Sequence, residues 1–209
     1  MSIINPRKLK KQLDQIKQDV WLELHDDLTA VEKVKIINHI LFEVHQFGGN
    51  ITNYHAPQNS FINVVLETKK GNPVMLSIIY ALICKELAIP IYGINLPQHF
   101  VLAYVNDFAN LIDPSDRTLS DNILFYVNPF SKGLIFNQAD IEAFIKQLNL
   151  EPETKHFLPC SNLDIIKRIL RNLASAYEKL NKTYKQQEVL KLLYALGEPP
   201  LTQFNDLGE

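Results

Sequence analysis

"KKGNPVMLSIIYALICKELAIP", Lys69 to Pro90, is the stretch on which the reading of the fold turns. Asn72 is a good N-cap, because a side-chain oxygen there accepts one of the backbone N–H groups that the first helical turn leaves unpaired. Pro73 suits the first helical position, where its missing N–H costs nothing. From Val74 to Leu87 apolar residues occupy almost every side, with Ser77, Lys85 and Glu86 as the exceptions. A helix that is apolar all round is a buried one. The stretch therefore predicts a central helix that opens at Asn72/Pro73, with Gly71 ending the helix before it.

Beyond Pro90 the hydrophobic period changes from helical to two, which predicts strands. "IYGIN" (Ile91 to Asn95) and "HFVLAYV" (His99 to Val105) form two, joined by "LPQ". "NLID" and "ILFYVN" form two more across the polar loop "PSDRTLSDN", and "GLIF" is a candidate fifth. Asn137 then caps a helix that runs to Leu148. Strands in one consecutive run predict an antiparallel sheet packed on the buried helix, an α+β fold.

Upstream the chain reads as helical. Pro6 starts a helix carrying Leu9, Leu13 and Ile16 on one stripe. Thr29 and Glu32 form a capping box for a second helix, with Val34, Ile37, Leu41 and Val44 as its apolar face. "FGGN" (Phe47 to Asn50) stops that helix, "NITNYHAPQNS" is a loop, and a short helix begins at Ser60. Downstream, Glu151 to Ser161 reads as a linker. Two helices, near 162–180 and 183–196, then make an αα-hairpin around the polar turn "NKT". Leu170, Leu173, Ala174, Tyr177 and Leu190, with Pro199 beyond, have the spacing of one tetratricopeptide repeat, although Gln186 stands where a small residue is expected. The expected division is 1–158 for the core and 159–209 for the helical tail. A single repeat cannot bury both of its faces, so the tail must dock on something.

The 209 residues are 46% apolar and 21% charged, the composition of a globular protein with a real core. A formal net charge of −2 gives no bulk electrostatic reason to bind nucleic acid or an anionic membrane. The basic run Arg7, Lys8, Lys10, Lys11 and Lys17 reads as a solvated helix face. Cys84 and Cys160 lack metal-type spacing, and a reducing cytosol is their natural setting. No long apolar run predicts a membrane span, so the expectation is a cytoplasmic protein with no cofactor and no metal.

A buried helix followed by a strand that begins with histidine is a constellation able to carry chemistry. In thiol enzymes of the papain and transglutaminase type, a cysteine opens such a helix, where the helix dipole and an imidazole favour its thiolate. A histidine from the next strands acts as base, and Asp or Asn orients it. This chain has the helix start at Asn72/Pro73, a histidine at His99, and orienting groups at Asp113 and Asn128. It has no thiol at the helix start.

The stretch "NVVLETKKGNPVMLSIIYALICKELAIPIYGINLPQHFVLAY" resembles the SirB family of transglutaminase-like bacterial proteins. "FYVNPFSKGLIF" is similar to that family's strand after the histidine, and "FGGNITNY" to its upstream loop. The resemblance covers nearly the whole chain, from about Leu28. It implies a transglutaminase-like, cysteine-proteinase-type core and a tetratricopeptide-like tail. By position it implies a nucleophile site at Asn72 or Pro73, a base at His99, and an orienting residue at Asn128 in "NPF" or Asp113 in "IDP". Many family members lack the cysteine.

The remaining candidates are read from their setting. Ser77 lies one turn below Pro73, and a buried serine there is expected to bond back to a helix carbonyl. Cys84 is expected to pack as a small hydrophobe, and Cys160 to lie in the linker. His55 belongs to a loop that could line the same cleft as His99. The expected function is a transglutaminase-like protein that has lost thiol catalysis and serves as a binding or scaffolding module. The alternative is a hydrolase or acyltransferase with His99 as general base. A protein or peptide is the expected partner, and a homodimer would cover an exposed apolar helix face.

Overall fold

In the computed structural model, residues 5–106 and 122–199 are described. The helical N-terminal region consists of α1 (Pro6–Glu23), α2 (Ala30–Asn38) and α3 (Ile62–Thr68). The central helix is α4 (Pro73–Glu86). Strands β3 (Ile91–Leu96), β4 (His99–Val105), β5 (Ile123–Asn128) and β6 (Leu134–Phe136) follow as an antiparallel meander in that order. Helix α5 (Gln138–Gln147) crosses back over the sheet, and α6 (Asn162–Lys179) with α7 (Thr183–Ala195) makes the helical hairpin. The two short strands before α4 are β1 (Gly48–Gly49) and β2 (Lys70–Gly71), which pair in parallel.

The alternation of β4 explains the layers. Leu102 and Tyr104, with Phe125 and Val127 of β5, face the core built on α4. Val101 and Ala103, with Tyr126, face Ile141 and Ile145 of α5. The sheet is thus covered on both sides, and every residue from Phe100 to Val105 is buried. Burial of each large aliphatic side chain stabilises such a core by about 1.5–3 kcal/mol. Helix α4 is as apolar as its sequence requires: Val74, Met75, Leu76, Ile79, Tyr80, Ile83 and Cys84 are all buried.

Several local expectations change in the folded chain. Helix α2 does not run straight to its stop. It passes into a π-helical segment at His39–Val44, closed by the His45 N–H on the Ile40 carbonyl. The wider turn rotates the apolar stripe, so Val44 is 53% exposed while Phe47 takes the buried place. Gly71 does not end α3. Lys69 does so in the left-handed conformation, with φ of 60°, and Gly71 lies in β2. Pro97 and Gln98 alone make the turn between β3 and β4, because Leu96 already pairs with His99. The expected strand "NLID" lies outside the described residues. "GLIF" supplies β6.

The hairpin is docked on the core. The Cys160 N–H donates to the Gly93 carbonyl at the outer edge of β3. Arg168 of α6 donates through one nitrogen to Asn95 Oδ1 at 2.9 Å and to the Leu96 carbonyl at 2.8 Å. Leu173, Ala174 and Tyr177 of α6 pack against Val189 of α7.

Candidate functional site

The start of α4 forms as its sequence predicts. Asn72 Oδ1 accepts the Met75 N–H at 2.9 Å and caps the helix. Its Nδ2 donates to Ser60 Oγ at 3.0 Å, and the residue is only 7% exposed. Both ends of the amide are therefore spent on the protein itself. Ser60 and Asn59 hold the preceding loop in place. Asn59 donates to the Asn53 and Tyr54 carbonyls and accepts from Asn50. Pro73, also buried, occupies the first helical position.

His99 and Asn128 are brought together. Asn128 Nδ2 lies 3.1 Å from His99 Nε2. Asn128 Oδ1 accepts the N–H groups of Phe130 and Ser131, capping the short 3-10 turn Pro129–Ser131. Two backbone donors thus fix which end of the amide is oxygen, and the NH2 end meets the imidazole. An amide nitrogen only donates, so Nε2 is the acceptor and the ring proton sits on Nδ1. Burial lowers the pKa of His99, and the Arg168 guanidinium lowers it further, so the ring is held neutral.

Strand alternation sets the direction of this pair. His99 and Asn128 share the sheet face of Val101 and Tyr126, the face covered by α5. The His99 ring is tilted against Phe144 of α5, with centroids 5.9 Å apart. Helix α4 covers the opposite face. Among the described residues no hydrogen bond joins His99 or Asn128 to Asn72. Asp113 lies outside the described residues.

The other candidates sit elsewhere. His55 is exposed, and its Nε2 accepts from Lys179 of α6 at 2.9 Å. Its neighbour Tyr54 stands edge-on to Phe130 at 5.8 Å. Ser77 is fully buried, but its Oγ has no hydrogen-bond partner, contrary to the expected bond to a helix carbonyl. It lines a cleft between α4 and α6, not the surroundings of His99. Burial raises the thiol pKa of Cys84, and it raises that of Cys160 to about 11. Among the described residues no group of three His, Cys, Asp or Glu side chains could hold a metal ion. No helix among them is long and apolar enough to cross a membrane.

The residues missed at the level of sequence are packing residues. A Cβ on Gly49 would stand 2.4 Å from the Phe130 ring. Gly133 has φ of +73°, and a Cβ there would stand 1.9 Å from Asn38 Oδ1. Asn38 donates to the Gly133 carbonyl and accepts from Tyr80 of α4. The glycines of "FGGN" and "NPFSKG" therefore let the β5–β6 turn close onto α2 and β1. Arg168 was missed because its polar partners lie more than seventy residues away.

The chain is 32% identical to a UPF0162 protein of Xylella fastidiosa over 154 residues, 72% of this chain and 50% of that protein. It is 26% identical to a UPF0162 protein of Vibrio cholerae over 170 residues, 79% of this chain and 57% of that protein. A 111-residue stretch is 27% identical to mouse F-box only protein 21, covering 53% of this chain and 17% of that protein. The chain thus spans about half the length of the Xylella protein. No solved structure matches it. The family described as Transglutaminase-like superfamily matches residues 7–171, from the first turn of α1 to the middle of α6. With four-fifths of its length inside that match, the chain belongs to the transglutaminase-like superfamily.

Proposed function

We propose that this transglutaminase-like protein has lost thiol catalysis and works as a binding or scaffolding module. The observation that carries this reading is the orientation of Asn128 against His99. A thiol enzyme of this type needs an orienting group that accepts an imidazole proton, leaving the ring's other nitrogen free as base. Here the orienting amide donates, and the ring nitrogen it meets is occupied. The start of α4 supports the same reading, because Asn72 and Pro73 keep the helix cap where a nucleophile would stand.

Binding takes the place of turnover in this account. A protein or peptide is the partner class that suits a helical hairpin with exposed apolar side chains, such as Tyr184, Leu192 and Tyr194. A second reading, a hydrolase or acyltransferase with His99 as general base, draws on the neutral imidazole, since a neutral ring is a competent base. It requires the Asn128 amide to release Nε2.

Thiol- and serine-reactive activity probes, applied to the purified chain and to His99→Ala, separate the two. The binding reading expects no labelling that depends on His99. Labelling or ester turnover abolished by His99→Ala would establish the enzyme reading instead.

A further inference from the structure

Strand β3 is an edge of the four-stranded sheet, and only part of that edge is covered. Leu96 pairs with His99 across the two-residue turn, so the antiparallel ladder alternates from there. The main-chain groups of Ile94 and Leu96 turn toward β4, and those of Gly93 and Asn95 turn outward. The Cys160 N–H takes the Gly93 carbonyl. Among the described residues nothing takes the Asn95 main-chain N–H or carbonyl. Asn95 lines a cleft of about 1020 Å³ between the β3 edge, the linker and α6. Neither His99 nor Asn128 lines it.

Arg168 lines the same cleft and is half-buried. Its Nη1 holds Asn95 Oδ1 and the Leu96 carbonyl, but its Nε and Nη2 have no partner among the described residues. No described carboxylate pairs with it. Glu198 is spent on Arg171, Glu153 on Lys155, and Asp164 on the Ser161 cap, while Glu151 is exposed. Burial and the neighbouring Arg171 lower the pKa of Arg168, the mark of a charge without a counter-charge. A guanidinium with one free edge is shaped for a planar anion that offers two oxygens.

We propose that this cleft takes the C-terminal residue of a peptide added antiparallel to β3. The last residue's N–H donates to the Asn95 carbonyl, one carboxylate oxygen accepts the Asn95 N–H, and the free edge of Arg168 holds the carboxylate. The Cys160 contact closes the edge at Gly93, so an added strand must stop at Asn95. In the antiparallel direction the residue that stops there is the last one, and the earlier residues run out past Pro97. In the parallel direction it would be the first, and its ammonium would face Arg168. Charge therefore selects the carboxylate end, and the open main chain selects a peptide over a plain anion. Leu150, Leu158 and Pro159 line the cleft as well and favour apolar side chains beside the carboxylate. The site is separate from the His99–Asn128 pair, so the proposal holds under either reading of that pair.

Fluorescence anisotropy of the full chain tests the proposal, with a hexapeptide that carries fluorescein at its N-terminus and ends in leucine and valine. With a free carboxylate the peptide should bind saturably, one per chain. The same peptide amidated at its C-terminus should bind about tenfold more weakly. N-methylation of its last peptide nitrogen removes the donor to Asn95 and should weaken it about fivefold. Arg168→Lys keeps the charge but not the fork, and should weaken the free acid about fivefold while leaving the amide unchanged. Circular dichroism confirms that the variant is folded, and the two altered peptides test the unaltered chain. Three results would each overturn the proposal: no saturable binding of the free acid, an amidated or N-methylated peptide that binds as tightly, or inorganic phosphate that displaces the probe as well as unlabelled peptide does.

Discussion

Asn128 donates its side-chain NH2 to His99 Nε2 at 3.1 Å while its oxygen is held by the backbone N–H groups of Phe130 and Ser131. One residue therefore both caps a turn and decides which imidazole nitrogen carries the proton. The turn matters as much as the histidine: without the two backbone donors the amide would be free to rotate and offer its oxygen.

The pair has a pH signature. The pKa of His99 is lowered from its ordinary value of 6.5, by burial first and by Arg168 second. The folded state thus binds the proton less readily than the unfolded chain. Stability is fully present above pH 6.5 and falls as pH drops from there through the lowered folded value. His156, buried in its turn, has a lowered pKa mainly through burial and acts with the same sign. Urea unfolding as a function of pH should therefore show a loss on the acid side, and His99→Gln should remove only part of it. An acid-side profile identical in His99→Gln and the wild type would contradict this.

Asn72 is expected to behave as a structural residue. Asn72→Ala removes the α4 cap and leaves Ser60 Oγ without its donor, a loss of about 1–3 kcal/mol. Asn72→Asp keeps the cap and should recover much of that loss. Chemical denaturation of the two variants measures the difference.

Gly133 should tolerate no side chain. With φ of +73° and Asn38 Oδ1 at 1.9 Å from a built Cβ, Gly133→Ala must move either the turn or Asn38. The expected cost is about 1–3 kcal/mol. Gly49→Ala should cost less when combined with Phe130→Leu, because the ring it would strike is then gone. A double-mutant cycle on the melting free energy reads that coupling.

These residues also show what could be read from the sequence. The start of α4, the Thr29/Glu32 capping box and the Asn137 cap are local, since each is set by residues within three positions, and they form as expected. The period-two strands β3, β4 and β5 were legible for the same reason. The π-helical turn at His39–Val44 was not, because nothing in its own spacing marks it. Pairing of Gly48–Gly49 with Lys70–Gly71 joins segments twenty-two residues apart and has no local signal. At the site, His99 and two candidate orienting residues, Asn128 and Asp113, could be named from the sequence, but not which of the two pairs with His99, and the direction of the His99–Asn128 hydrogen bond depends on the turn that Asn128 caps. The unsatisfied state of Ser77 is likewise a tertiary fact.

Neither cysteine should react quickly. Cys84 is fully buried, and the thiol of Cys160 is pushed up to about 11, chiefly by burial. The thiolate is the reactive form, so little of either is available at neutral pH. Iodoacetamide should label the native chain slowly and both thiols once the chain is unfolded. Rapid native labelling at Cys160 would contradict a thiol pKa raised in this way.

The helical hairpin should be part of the fold's stability. Arg168 ties α6 to Asn95 and to the Leu96 carbonyl, next to the turn that leads into His99. Arg168→Ala should cost about 1–3 kcal/mol in urea unfolding, since it leaves those acceptors unpaired. It should also raise the His99 pKa, because the guanidinium is one of the two causes that lower it. A stability and a His99 titration both unchanged would mean that the tail rides on the core without holding it.

On the proposed reading, Asn128 keeps His99 in the Nδ1–H form and so denies it the role of thiol-enzyme base. The most direct measurement is a long-range ¹H–¹⁵N NMR spectrum of the imidazole at neutral pH, assigned by comparison with His99→Gln. A neutral ring protonated on Nδ1 is expected, and Asn128→Asp should move the proton to Nε2 and raise the titration midpoint. A wild-type His99 found protonated on Nε2, with Nδ1 free, would contradict it.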